Sequence, residues 1–332
     1  MTLDMMLTQS SQQEEYLNGY TALLITMTDM LIIKIGVRVL DTIKIMITKV
    51  VRKALDIKPS GRSSDFITPS FIHGCLYKCH YCYMRRNKPE GLSVATNVDE
   101  ILDVINKHAL FTPVTKPNQT HPVYTTYDIS CNEDFALHLK YHEWQKIFDF
   151  FVEHPIAMAT FATKYVNQKL LDYNPNRKIR IRFSLMPQSL SDILEPDTSK
   201  IVDRIKAIND FYAAGYDVHI NFSPILALAE SKALYTELFE QVNNIVDDKI
   251  KKHVLAECIM LTHNEKMHIH NLENAPADVE KLLWNPEWQE NKTSSFGSEN
   301  IRYRHDLKAK LVNRFVSLHD SIIPWNKIRY IF

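Results

Sequence analysis

Cys75, Cys79 and Cys82 stand in the run His73-Gly74-Cys75-Leu76-Tyr77-Lys78-Cys79-His80-Tyr81-Cys82-Tyr83, a Cys-x3-Cys-x2-Cys spacing with an aromatic residue just before the last cysteine. Closely spaced thiolates bind soft metal centres. A [4Fe-4S] cubane has four irons and would receive only three thiolates here, which leaves one iron open to a small molecule. A Cys3His zinc site that recruits His73 or His80 is the other metal reading. Such sites usually join two short hairpins, and no second Cys/His pair lies at a finger-like distance. A disulfide framework fits poorly, because the chain is large, its five cysteines are an odd number, and no secretory signal is evident.

Other residues could do chemistry alongside the triad. Cys131, in Cys131-Asn132-Glu133-Asp134, has no cysteine neighbour and follows a predicted strand. An isolated thiol is commonly a small packing residue, but a strand-end thiol can also face a cleft. Tyr81 and Tyr83 flank Cys82; they could shield a cluster from water or turn their phenols into a cleft. Lys164 closes Thr160-Phe161-Ala162-Thr163-Lys164 at a strand end, where it is either solvated or set against an anionic ligand. Cys258 lies within an apolar strand and reads as packing. His263, His268 and His270 could bind a metal, but no acidic or cysteine partner has convincing spacing, so a surface or loop role is expected. Arg302, Arg304, Lys308, Lys310 and Arg314 give a basic stretch that either meets phosphates or is a solvated helix face.

The elements that must position these groups are legible from periodicity. In the 332-residue chain, 45% of residues are hydrophobic, and 39 basic residues balance 39 acidic ones. Neutrality excludes a bulk polycation and leaves room for a local basic groove. Strands are predicted at 66–72, 123–129, 157–163, 178–184, 217–223 and 253–261, with helices at 98–108, 144–153, 168–173, 201–214 and 234–246. Strands that alternate with helices argue a parallel sheet with right-handed crossovers. The cysteine loop, Cys131, Lys164, Ser184 and Pro224 each follow a predicted strand end, and a barrel or half-barrel gathers such ends on one face. Residues 58–261 are expected to form that barrel, and 262–332 a C-terminal extension packed on it. Residues 1–57 are apolar but carry Asp29, Lys34 and Arg38 within the run, which argues an amphipathic helical segment rather than a membrane span.

The cysteine spacing resembles the signature of radical S-adenosylmethionine (SAM) enzymes. Further stretches narrow the resemblance: Cys79-x-Tyr81-Cys82-Tyr83, Cys131-Asn132-Glu133-Asp134, Ser184-Leu185, Glu195-Pro196-x-Thr198, Arg204-Ile205-x-Ala207-Ile208, Ala214-Gly215-Tyr216, Phe222-x-Pro224-Ile225 and Ile328-Arg329-Tyr330. Together, over about residues 66–330, they resemble the spore photoproduct lyase family. The resemblance implies an α/β fold, a partial (β/α)6 TIM-type barrel, with Cys75, Cys79 and Cys82 as ligands of a [4Fe-4S] cluster whose open iron takes SAM. It implies a 5'-deoxyadenosyl radical that attacks a methylene-bridged thymine dimer in DNA, with Cys131 returning a hydrogen and Tyr81 and Tyr83 relaying it toward SAM. Lys164 and Ser184 match positions near SAM. Many radical SAM enzymes carry a Gly-Gly-Glu stretch for the SAM amino group; here Ser130-Cys131-Asn132-Glu133 takes that place, so Asn132 or Glu133 would accept from the ammonium. A cytoplasmic location and an external electron donor of flavodoxin or ferredoxin type are also implied. Two readings remain beside it: a radical SAM enzyme acting on a peptide or modified nucleoside, and a zinc- or nucleic-acid-binding module without catalysis.

Overall fold

The computed structural model describes residues 46–87, 91–111, 116–118, 120–293 and 299–332. The first elements are small. Strands β1 (Met46–Val50), β2 (Lys58–Pro59), β3 (Phe66–Ile67) and β4 (Ile72–His73) lead into the cysteine loop, which runs directly into helix α1 (Tyr83–Asn87). Strand β5 (Gly91–Ala95) pairs parallel with β1 and antiparallel with β4. Gly91 has φ +151°, and a Cβ there would fall 2.0 Å from the Met46 carbonyl oxygen, so close strand approach requires glycine. This three-stranded sheet anchors the loop from behind.

The repeating units follow: α2 (Val98–Phe111), β6 (Thr125–Asp128), α3 (Trp144–Glu153), β7 (Ala157–Thr163), β8 (Ile179–Leu185), α4 (Gln188–Leu194), α5 (Ile201–Ala213), β9 (Asp217–Ile225), α6 (Ser231–Ile245), α7 (Asp248–Lys251) and β10 (Ala256–Met260). The end of the chain adds β11 (Thr262–His263), α8 (Glu265–Asn274), α9 (Val279–Leu283), β12 (Gln289–Thr293), β13 (Glu299–Tyr303), α10 (His305–Ile322) and β14 (Ile328–Ile331). The main sheet has eight strands in the order β14-β10-β9-β8-β7-β6-β3-β2, parallel throughout except for the β2–β3 pair. It is a curled half-barrel: β3, β6, β7, β8, β9 and β10 supply six parallel strands, as the sequence pattern requires.

Period two on β8 explains how a strand buried on both faces carries two arginines. Ile181 and Phe183 pack outward, Phe183 reaching Phe211 of α5 at 5.3 Å between ring centroids. Arg180 and Arg182 take the opposite face and pair with acids there. Helix α5 buries Ile201, Ile205, Ile208 and Phe211, spaced along one stripe. It ends at Gly215 (φ +101°), where any Cβ would lie 2.0 Å from Asn174 Oδ1.

Several boundaries differ from the sequence pattern. The run 66–72 is two strands in two sheets, because Pro69 has no N–H for a ladder and breaks the run. The last barrel strand starts at Ala256 rather than His253, because the N–H groups of His253 and Val254 turn back to the carbonyls of Ile250 and Lys251. The stretch 168–173 is a single 3-10 turn, Gln168–Asp172. Residues 262–332 do not stay outside the sheet: β14 adds to it parallel to β10. Of the apolar N-terminal segment, residues 1–45 lie outside the described residues, and Met46–Val50 is a strand. No helix among the described residues is long and apolar enough to cross a membrane.

Candidate active site

The C-terminal halves of the barrel strands and the loops after them surround a cavity of ≈ 290 Å³, lined among others by Cys75, Cys79, Cys82, Tyr81, Tyr83, Cys131, Lys164, Asp128, Arg182 and Asn221. The cysteine loop is tied to its surroundings by backbone bonds. Gly74 N–H donates to the Asn132 carbonyl at 3.1 Å, and His80 N–H to that of Leu194 at 2.9 Å. Leu76 N–H donates to His138 Nε2 at 3.2 Å. Gly74 has φ +127°, a conformation open to glycine at little cost, so the loop can leave β4 sharply. Cys79 is buried; Cys75 and Cys82 are half-buried.

Burial pushes the Cys75 thiol up to about 12, with the Asp134 carboxylate adding to the effect. The Cys79 and Cys82 thiols are raised too, again chiefly by burial. Left to themselves these groups stay protonated; binding a metal centre displaces the protons and supplies the compensating positive charge. The cavity also holds two buried polar atoms without a hydrogen-bond partner, Tyr77 Oη and Asn221 Oδ1. Three thiols around one cavity, with open polar groups beside them, fit a three-thiolate cluster bearing a polar co-ligand. The Cys3His zinc alternative fits less well. Neither His73 nor His80 lines the cavity, and Arg85 engages His80 Nδ1.

Cys131 is exposed to the cleft. The surrounding walls still push its thiol up to about 12, Asp128 adding to the effect, so its sulfur carries a proton at neutral pH. Tyr83 reaches it from α1: the phenol donates to Asn132 Oδ1 at 2.7 Å and lies 3.1 Å from the Cys131 carbonyl oxygen. Asp134 braces this loop, accepting from Thr163 Oγ1 at 2.7 Å and from the Lys164 N–H at 2.8 Å. The cysteine loop, the Cys131 loop and the end of β7 are thus one hydrogen-bonded unit.

Tyr81 points elsewhere. Its phenol donates to Glu195 Oε1 in a short contact. Burial, then the Glu195 charge, pushes the phenol well above its ordinary range. Glu195 is wholly buried, and Arg204 Nη1 lies 3.0 Å from its Oε2. Lys164 Nζ stands 3.9 Å from Glu195 Oε1. Burial alone would lower the Lys164 pKa; Glu195, then Cys79, outweighs it, and the net shift is upward. Lys164 therefore remains an ammonium at the cavity wall.

The other expected ligand-binding residues are placed differently. Ser184 is buried behind the cavity wall, with Oγ 3.4 Å from Asn221 Nδ2 and its carbonyl accepting from Arg204. Asn132 is committed to Tyr83 and to Ser70 Oγ. Glu133 borders the cavity, but its carboxylate accepts from Ile72 N–H and sits between His138 and His142. Burial pushes it up to about 7, His138 opposing the shift.

Sequence reasoning missed the charged floor. Arg182 Nη2 pairs with Asp128 Oδ2 at 2.6 Å and Nη1 with Glu257 Oε2 at 3.3 Å. Glu257 also accepts from Tyr330 at 3.0 Å and pairs closely with Arg329, while Ser63 Oγ holds Tyr330 Oη at 2.6 Å. The signal was present in the alternation of Arg180 and Arg182 with Ile and Phe: a charged strand face inside a barrel must meet counter-charges. Glu195 and Arg204 were visible as motif residues, without a role.

The family model described as "SPL: Spore photoproduct lyase" matches residues 36–332. A spore photoproduct lyase of Bacillus subtilis (strain 168) is 27% identical over 285 residues, covering 84% of this chain and 80% of that protein. A spore photoproduct lyase of Geobacillus sp. (strain Y412MC61) is 29% identical over 198 residues, 58% of this chain and 55% of that protein. Among solved structures, a spore photoproduct lyase complexed with dinucleoside spore photoproduct superposes with a TM-score of 0.74 at 22% identity, covering 86% of this chain and 82% of that one. A mutant of that enzyme with bound AdoMet and dinucleoside spore photoproduct gives the same TM-score at 21% identity, with the same coverage. The family match runs from residue 36 through the cysteine loop to Phe332, and the chain belongs to the spore photoproduct lyase family of radical SAM enzymes.

Proposed function

We propose that this chain repairs the spore photoproduct, a methylene-bridged thymine dimer, in DNA. The observation that carries the reading is one cavity bordered by both the three-cysteine loop and the exposed Cys131. When bound, the [4Fe-4S] cluster and SAM supply a 5'-deoxyadenosyl radical. Cys75, Cys79 and Cys82 would hold the cluster as thiolates. Lys164, kept charged by Glu195, offers a cation to an anionic group of the co-ligand. Cys131 gives a hydrogen atom from its S–H to the thymine radical left when the bridge breaks. Its raised pKa serves this role, because a thiolate has no hydrogen atom to give. Tyr83, bonded to the Cys131 loop, would return a hydrogen to the thiyl radical so formed, and Tyr81, held by Glu195, would stand one step back and pass the radical on toward the co-ligand. A lesion must leave the base stack to reach such a cleft. The one-electron donor would be an external flavodoxin or ferredoxin.

The test is anaerobic reconstitution followed by turnover of SAM with a dinucleoside spore photoproduct. Released thymine units are expected in excess of the 5'-deoxyadenosine formed, because the tyrosine relay returns hydrogen toward SAM, and alanine at any of Cys75, Cys79 or Cys82 should abolish both along with the iron–sulfur absorbance. SAM cleavage without thymine release would overturn the substrate. A triple alanine variant that kept full iron and sulfide would overturn the cluster ligands.

A further inference from the structure

Outside the cleft, three side chains that the sequence spreads over 263–280 converge behind the cysteine loop. His263, on β11, is buried, and its Nε2 lies 3.2 Å from Glu280 Oε2. His268, on the first turn of α8, places Nδ1 2.5 Å from the same oxygen. The two ring nitrogens and the carboxylate oxygen all lie within 4.8 Å of one another. The expectation of a surface or loop role fails for His263, which is buried on a strand, and the acidic partner that local spacing did not reveal comes from a later helix.

We propose that His263 Nε2, His268 Nδ1 and Glu280 Oε2 form a zinc site. Two imidazole nitrogens and one carboxylate are a borderline donor set that suits Zn²⁺, with water completing a tetrahedron. The groups around it hold the donors in place. Asn271 Nδ2 donates to the other Glu280 oxygen, fixing the carboxylate. The His268 ring stacks on Trp284 at 3.9 Å between centroids and 7° between planes. Oriented ligands of this kind characterise built metal sites. Charge points the same way. Glu280 is a buried carboxylate, and its ion-pair partners among the described residues are the two imidazoles. A buried carboxylate needs compensating positive charge, which a divalent cation held between the carboxylate and the two rings supplies.

None of the three residues lines the cleft, so the ion is a clasp rather than a second reaction centre. It joins β11, α8 and α9. Asn271 carries the effect onward, since its Nδ2 also donates to the His80 carbonyl of the cysteine loop at 2.8 Å. Zinc here would brace the wall against which that loop is folded.

The test uses the full chain with Cys75, Cys79 and Cys82 all replaced by Ala, so that zinc cannot enter the cluster site. Equilibrium dialysis against zinc, read by elemental mass spectrometry, should give about one zinc per chain. His268→Ala, at a partly exposed side chain where folding is least at risk, and Glu280→Gln, which keeps the side-chain shape, should each weaken binding at least about tenfold. His270→Ala, in the same helix but outside the group, should leave it unchanged. Zinc should raise the melting temperature of the triple-cysteine chain and not that of its His268→Ala derivative. No stoichiometric zinc uptake, or uptake indifferent to both His268→Ala and Glu280→Gln, would overturn the site.

Discussion

The phenol oxygen of Tyr83 stands 3.1 Å from the backbone carbonyl oxygen of Cys131, so the helix that leaves the cysteine loop touches the isolated cysteine's own residue. Tyr81, two positions earlier, turns away from Cys131 to the buried carboxylate of Glu195. The two tyrosines that bracket Cys82 therefore meet different environments, and their removal should have different effects.

Tyr83→Phe deletes a half-exposed hydrogen bond and should cost about 0.5–1.5 kcal/mol of stability or less. Iron content and SAM cleavage should persist, while repeated repair turnovers fall, because the thiol is no longer resupplied. Tyr81→Phe should lower repeated turnovers as well and, unlike Tyr83→Phe, cost about 1–3 kcal/mol of stability, because a buried acceptor loses its donor. Counting turnovers per chain beside a melting curve separates the two; equal turnover loss with no stability difference would remove the distinction.

Cys131→Ala leaves the cluster ligands untouched. SAM cleavage should survive while the ordinary repair product drops sharply and altered products accumulate. Stability should change by no more than about 0.5 kcal/mol, as for most exposed positions. Product analysis on a defined dinucleoside lesion decides; unchanged product identity and yield would sink the hydrogen-donor role.

Glu195→Ala strips the counter-charge from two cations at once, Arg204 at 3.0 Å and Lys164 at 3.9 Å. Breaking a buried pair by removing one partner typically costs about 3–5 kcal/mol. Urea unfolding should show a loss of that order, and Glu195→Gln a smaller one, since the amide oxygen still accepts. A neutral result for the alanine variant would mean the network is solvated.

His121 gives a pH signature. Its Nδ1 accepts from Val123 and Tyr124 N–H at 3.1 and 3.0 Å, so folding requires that nitrogen unprotonated. Burial, then Arg180, lowers its pKa to about 4 from an ordinary 6.5. A base with a depressed folded pKa contributes stability that is present above the unfolded value and lost as pH falls through the folded one. Its contribution should therefore fade from about pH 6.5 to 4, and His121→Phe should flatten the stability profile in that window alone. An unchanged slope would contradict it.

The barrel was legible because its strands are short apolar runs separated by amphipathic helices, and because Gly215 ends a helix where the pattern stops. The cysteine triad was legible because its spacing survives without tertiary context. What escaped depended on partners distant in sequence. Glu280 is 17 residues from His263, Glu195 is 114 from Tyr81, and Glu257 is 75 from Arg182. Local periodicity shows that such a charge is enclosed, but not by what. The break at Pro69 could have been read, since the ring removes a ladder donor.

Glu257 reaches 75 residues back to Arg182 and 72 residues forward to Arg329. During synthesis the arginine in the cleft floor emerges first, its acid next, and the second cation that offsets that acid only with β14. Until then Glu257 faces Arg182 without its other partners, and the β10 edge of the sheet is open for pairing. The half-barrel can curl early, but its floor becomes electrically settled only when the 329–330 pair arrives. Nascent chains halted between β10 and β14 should thus be open-edged, association-prone species rather than weakly active enzymes.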